Sequence, residues 1–387
     1  MITKGIPSLH FTRAMRADRK RPGLLYAGTE YGMYISYDDG ANWRSFQLNL
    51  PEVPITDLTI KNNDLIVATQ GRAFWIIDDL TLVQENNPSI TDKSLYVFPI
   101  NSAYRIPGAD ARFAAFARTP VNAGANPPNG AIINFFAKNV TDSSKASISI
   151  IDITGKLVKT FSTESKENKF DIVKGMNKFV WNLRYPNAES IDGMILWNGV
   201  PSGIIAAPGE YSYKLKVDKD SAEGKFTILP DPNYKCSPEE YKAQFLFLQQ
   251  VLDKFNEVQK GIKNIRSLRN QINDFVGKQG KDCPADVKEA ANSITKKLTA
   301  IEEVLYQTKA KSGQDVLNYP IRLNDKLSGV FDAANSGNMA PSKQAKEVYA
   351  SLAAQCDEQL NLLKKLTEDD IAKFNQLVRE KALPVIK

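Results

Sequence analysis

The sequence predicts a multidomain protein of mixed class, β-rich over residues 1–232 and helical over residues 233–387. Three observations carry that expectation. Short alternating runs punctuated by Gly, Pro and Asn fill the amino-terminal part. The octapeptide Ser36-Tyr37-Asp38-Asp39-Gly40-Ala41-Asn42-Trp43 has the spacing S-x-D-x-G-x-x-W. After Ser237, apolar residues recur at helical spacing.

Residues 1–92 form the first predicted unit. Strands are expected at residues 9–15, 24–29, 32–37 and 43–48, one four-stranded sheet whose third and fourth strands the octapeptide joins. Asp38 stands two residues before Gly40, so its carboxylate accepts backbone N–H bonds across a tight turn while Gly40 supplies a positive φ. Trp43 then opens the next strand and packs its ring under the turn. The pattern restarts at residues 55–60, 64–69 and 73–78. LLYAGTEYGMYISYD and DLIVATQGRAFWIIDD read as two versions of one strand–turn–strand unit, a weak internal repeat.

These motifs resemble the BNR/Asp-box β-propellers, a group that includes sialidases, sortilin-like receptors and exo-acting glycosidases. The resemblance implies an incomplete β-propeller of about two blades, with Ser36, Asp38, Gly40 and Trp43 as a structural Asp-box distant from any ligand. Propellers close with about four or more blades. The expectation is therefore that the missing blades lie upstream of Met1 or on another chain, the former being favoured.

Residues 93–232 form the second unit. A polar loop over residues 120–130 precedes strands expected at residues 131–138, 146–151, 157–162, 177–183 and 210–217, the alternation of a β-sandwich. Asp152-Ile153-Thr154-Gly155 reads as a hairpin turn. The segments ASISIIDITGKLVKTFS, Gly175-Met176-Asn177-Lys178-Phe179-Val180-Trp181 and Pro208-Gly209-Glu210-Tyr211 resemble the Ig-like domain of flagellar hook-capping proteins. That resemblance implies Trp181 as the core tryptophan and Tyr211 as an aromatic on a closing edge strand.

Residues 233–387 form the third unit, an antiparallel helical bundle. Ser237-Pro238-Glu239-Glu240 combines an N-cap, Pro in the first turn and early carboxylates. Tyr241, Phe245, Leu248, Leu252, Phe255, Val258 and Ile262 follow on one face. Residues 277–284 break the pattern, and further helices are expected at residues 284–309, 319–334, 342–366 and 368–380. The Leu and Phe stripes are read as core and the Lys-rich faces as solvated.

Composition narrows the chemistry. A net charge of +6 is a mild excess carried mostly by scattered lysines, so no nucleic-acid partner is expected. The densest basic run, RAMRADRKR over residues 13–21, fits a solvated strand end, with an anionic-ligand site as the alternative. His10 is the single histidine, which removes every Ser-His-Asp or His-rich zinc arrangement not centred on it. Cys236, Cys283 and Cys356 form no CxxC motif; one disulfide and three thiols both fit their spacing. No segment is long and apolar enough to cross a membrane, and the chain opens on strand-like sequence instead of a signal peptide. No cofactor and no metal site are expected, self-capping of the turn being simpler than Ca²⁺ at Asp38, Asp39 and Asn42.

Taken whole, the chain resembles the carboxy-terminal third of large bacterial sortilin-like propeller proteins, which are often labelled glycosyl hydrolases and are typically exported. The resemblance implies an exported, non-catalytic binding and scaffold portion whose ligand is a protein or a glycan. The alternative is an accessory part of an exo-acting glycoside hydrolase whose active site lies in the missing blades. No catalytic residues are assigned. Two places are candidate binding sites. Arg72, Trp75, Asp78 and Asp79 surround a strand end where two carboxylates and an aromatic sit close in sequence. Trp197 and Asn198, in the long loop over residues 190–199, pair an aromatic ring with an amide, as carbohydrate surfaces are gripped; the competing role for Trp197 is to cover the sandwich edge.

Overall fold

The computed structural model describes residues 1–106 and 124–384. The first part of the polar loop expected over residues 120–130 lies outside the described residues. Strands fill the amino-terminal part and helices the carboxy-terminal part, so the protein is multidomain β plus α.

Strands β1 (Thr12–Ala17), β2 (Leu25–Thr29), β3 (Gly32–Ser36) and β4 (Arg44–Ser45) pair antiparallel in chain order. A second antiparallel sheet follows from β5 (Ile55–Lys61), β6 (Asp64–Thr69) and β7 (Phe74–Ile77). The sheets share one core. Leu24, Tyr26, Met33 and Ile35 on the first meet Ile55, Leu58, Leu65 and Val67 on the second. Each Leu or Ile buried there contributes roughly 1.5–3 kcal/mol. A Cβ on Gly28 would overlap the Ile55 side chain, so this close approach of the sheets requires glycine. Residues 1–10 cover the other face of the first sheet, where Ile6 packs with Ala27, Tyr34 and Trp43. His10 precedes β1, and its Nδ1 lies 2.8 Å from the Tyr34 hydroxyl. The other face of the second sheet is open: Phe74 is 74% exposed and Ile76 56%. A short helix α1 (Thr81–Gln84) closes this region.

The middle region holds two further sheets. One has β8 (Leu95–Val97), β10 (Ala131–Ala137) and β13 (Gly175–Trp181), with β10 central. The other has β9 (Ala103–Tyr104), β11 (Ala146–Ile151), β12 (Leu157–Ser162), β14 (Gly209–Val217) and β15 (Asp220–Leu229), in the order β12-β11-β14-β15-β9. Alternate residues of both sheets, among them Ile133, Phe135, Ile148, Ile150, Leu215 and Phe226, form one core around Trp181. The Trp181 Nε1–H donates to the Arg184 carbonyl at 3.1 Å, which satisfies its only polar atom. The position expected for Tyr211 needs correcting. It packs 5.6 Å from Trp181, centroid to centroid, but on β14, the central strand of its sheet. Sequence patterning does not mark β15, whose outward residues Ser221, Glu223 and Lys225 are polar; it pairs with β14 from Asp220 to Ile228 and moves the edge outward.

The helical region contains α2 (Pro238–Gln279), α3 (Ala285–Leu305), α4 (Leu323–Asn335), α5 (Lys343–Leu366) and α6 (Ala372–Glu380). α2 begins with a reciprocal capping box: the Ser237 hydroxyl accepts from Glu240 N–H, and the Glu240 carboxylate accepts from Ser237 N–H. Its 42 residues span roughly 63 Å at the α-helical rise. Leu248, Val251, Phe255, Val258 and Ile262 on α2 pack with Leu298, Leu327, Phe331, Cys356 and Leu363. The same core takes Ala188 and Ile204 from the segment between β13 and β14, with Ile191, Met194 and Leu196 against it. All three cysteines are free. Among the described residues no helix is long and apolar enough to cross a membrane.

Candidate functional site

The octapeptide turn is built from its own polar groups. Asp38 Oδ1 accepts from Asn42 N–H at 2.8 Å and from the Ser36 hydroxyl at 2.8 Å, while Oδ2 accepts from the Asn42 amide at 2.7 Å. Asn42's donors and the Ser36 hydroxyl favour the charged carboxylate and lower the Asp38 pKa. Gly40 sits at φ +86°, and its N–H donates to Ser36 Oγ at 2.9 Å. Trp43 is buried beneath the turn, its Nε1–H donating to the Ile2 carbonyl at 2.8 Å. The Asp38 carboxylate and the Ser36 hydroxyl are thus engaged within the motif, while Trp43 is tied to residues 2 and 4.

The strand end over residues 72–79 is bonded in a similar way. Asp79 adopts φ +58°, and its Oδ1 accepts from Asn63 Nδ2 at 2.8 Å, Thr81 N–H at 3.0 Å and the Thr81 hydroxyl at 2.5 Å. Asp79 N–H in turn donates to Asp64 Oδ1 at 2.9 Å. Asp78 is the freer carboxylate. Burial and then the neighbouring Asp64 charge raise its pKa, while Lys178 on β13 pulls it back. Trp75 is half-buried, and its Nε1–H donates to the Arg72 carbonyl at 3.0 Å. Its ring lines a cleft of only about 30 Å³ with Phe46, Leu50 and Leu65, room for roughly one water. Arg72 is exposed and makes no ion pair among the described residues.

Trp197 and Asn198 stand elsewhere, on the loop docked against the helices. The buried carboxylate of Asp325, in the first turn of α4, accepts from Trp197 N–H at 2.7 Å and from Asn198 N–H at 3.0 Å. It also accepts from the Asn198 amide at 3.0 Å. Ser328 Oγ donates to the Gly199 carbonyl at 2.6 Å. Asn198 is thereby occupied in anchoring the loop, while the Trp197 ring stays 53% exposed. The two candidate groups thus belong to separate cores, Trp75 to that of the first two sheets and the Trp197 loop to that of the helices.

The basic run is largely paired. Arg13 bonds Glu30 at 2.5 Å and Arg16 bonds Asp57 at 2.7 Å. Arg21 donates to the Gln84 and Asn86 carbonyls and stacks over Tyr37. Two polar centres escape sequence reasoning. Glu302 is buried between Arg266 and Arg269, each at 2.7 Å. Arg105, just past β9, is also buried; its Nε donates to the Ala206 carbonyl at 3.2 Å and its Nη2 to Gln244 Oε1 at 2.9 Å. Nη1 donates to Asn338 Oδ1, and the guanidinium lies 5.0 Å from the Tyr241 ring centroid. Burial lowers its pKa. A helical spacing of Arg266 and Arg269 was visible in sequence, but Glu302 and Arg105 gain their partners only from distant elements.

No protein-family model matches the chain, and no curated protein matches it. Among solved structures, it is similar to a chain described as "pT26-6p", at 14% identity and a TM-score of 0.14. The match covers 70% of this chain and 49% of that one, so this chain spans about half its length. A likeness that distant carries no argument about fold or function.

Proposed function

We propose that this chain is a non-catalytic binding and scaffold portion of an exported, sortilin-like Asp-box propeller protein, with a protein or a glycan as ligand. In this reading the first two sheets are propeller blades, and the middle sandwich, of Ig-like type, and the helices brace them. The observation that carries it is the one-sided stacking of the second sheet: its inner face packs on the first sheet, and its outer face presents Phe74 and Ile76 to solvent. A face of that kind suits a further sheet, supplied by additional sequence or another chain. Engagement of Asp38 and Asp79 in their own turns also favours a scaffold over a catalytic pair.

A second reading, in which Asp78 and Asp79 themselves belong to a glycoside hydrolase site, draws on one observation, the partial burial of Asp78 beside Asp64, which raises its pKa. A panel of chromogenic glycosides separates the two. The scaffold reading expects no turnover by this chain and no change on Asp78→Asn; turnover that Asp78→Asn abolishes overturns it.

A further inference from the structure

The helical region carries a groove that the scaffold reading does not use. The helix that starts as α5 does not stop at Leu366: Thr367–Ile371 wind as a π-helix and run on into α6. A π turn inserts an extra residue into the helix, and such insertions recur at functional sites. Between this turn and α3 lies a cavity of about 430 Å³. Small-molecule sites occupy roughly 300–1,000 Å³. Its floor is apolar, made by Ala300 and Ile301 of α3 and by Leu362 and Leu366 of α5. Ile301 and Leu366 are buried, whereas Leu362 is 47% exposed.

The rim is charged and unevenly balanced. Lys297 and Asp370 neutralise one another at 2.8 Å. That leaves Lys365 and Lys373, both exposed and with no ion pair among the described residues, against one carboxylate, Asp369. An apolar floor beneath a net positive rim is complementary to a molecule with a hydrocarbon body and a negative head. We propose that this groove binds a single-tailed anionic amphiphile, a fatty carboxylate, with its chain along Ile301, Leu362 and Leu366 and its head held by the lysine rim.

Isothermal titration calorimetry with dodecanoate, kept below its micelle-forming concentration, tests this on the whole chain. The proposal expects saturable one-to-one binding. It expects an affinity loss of about tenfold or more in Lys365→Glu/Lys373→Glu, and a comparable loss in Leu362→Glu. Dodecylammonium, with the same tail and the opposite head, is expected to bind at least about tenfold more weakly to the unmodified protein. Absence of saturable dodecanoate binding overturns the proposal, as does equal affinity for the two heads. A ligand-free dimer that Leu362→Glu dissociates also overturns it, because a second copy would then be the occupant.

Discussion

Replacing Asp325 with alanine removes the group that fixes the loop over residues 190–199 to the helices. Its carboxylate is 3% exposed and accepts from two backbone N–H groups and one side-chain amide at 2.7–3.0 Å. A hydrogen bond to a charged acceptor is worth about 1.5–3 kcal/mol. The three are not additive, because the freed amides lie on a loop that water reaches and because burying the carboxylate carries its own desolvation cost. A net loss of about 3 kcal/mol follows. Trp197→Ala is the control: its ring is half in solvent, so its loss should cost under ~1 kcal/mol. Urea unfolding followed by far-UV circular dichroism compares the variants, reading the helical transition. If Asp325→Ala costs less than ~1 kcal/mol, or if Trp197→Ala costs as much as Asp325→Ala, the anchoring argument fails.

Three further perturbations address other parts of the fold. Glu302→Ala leaves Arg266 and Arg269 facing a partly buried void where a 2% exposed carboxylate stood; it should destabilise the helical region by about 3–5 kcal/mol, with Glu302→Gln milder, and equal effects of the two would contradict a charge-based role. Burial pushes the Cys356 thiol up to about 12, so a thiol reagent at neutral pH should leave it unmodified until unfolding and then titrate all three cysteines; rapid native labelling of Cys356, observed by peptide mass spectrometry, would be inconsistent with its burial. Donors from Asn42, Lys145 and Lys311 lower the pKa values of the turn residues Asp38, Asp218 and Asp315. Their contribution is full above the unfolded value of about 3.9 and disappears as pH falls through the lower folded values. Tm should therefore drop on acidification below about pH 4, and Asp38→Asn should shallow that limb; an acid limb of unchanged slope would refute the linkage.

What was legible in sequence is what short-range geometry decides. The Ser237-Pro238-Glu239-Glu240 start is local, and the capping box forms within those residues. The Asp38–Asn42 turn is equally local, because its donors and acceptors lie within four positions of one another. β6, β11 and β12 occupy the expected residues, since alternation at period two is written into each strand. Boundaries shift where side chains alone do not mark the ladder: β1 begins at Thr12 and not at residue 9, because Leu9 and Phe11 are exposed ahead of the paired segment.

The rest depends on partners far apart in the chain. β9 has two residues and exists only because β15 pairs with it in parallel. Asn198, read from sequence as half of an aromatic-amide grip, instead bonds Asp325, 127 positions away. Glu302 reads as one of many exposed helix carboxylates until α2 brings Arg266 and Arg269 against it. By itself the sequence determined the β plus α division, the capped start of the long helix at Ser237, the self-bonded turns and the alternating core faces, because those follow from φ preferences, period and hydrogen bonds within a few residues. Only the tertiary structure decided which sheet faces are covered, where the loop docks and which charges are buried, because burial and desolvation act between surfaces that the chain brings together from a distance.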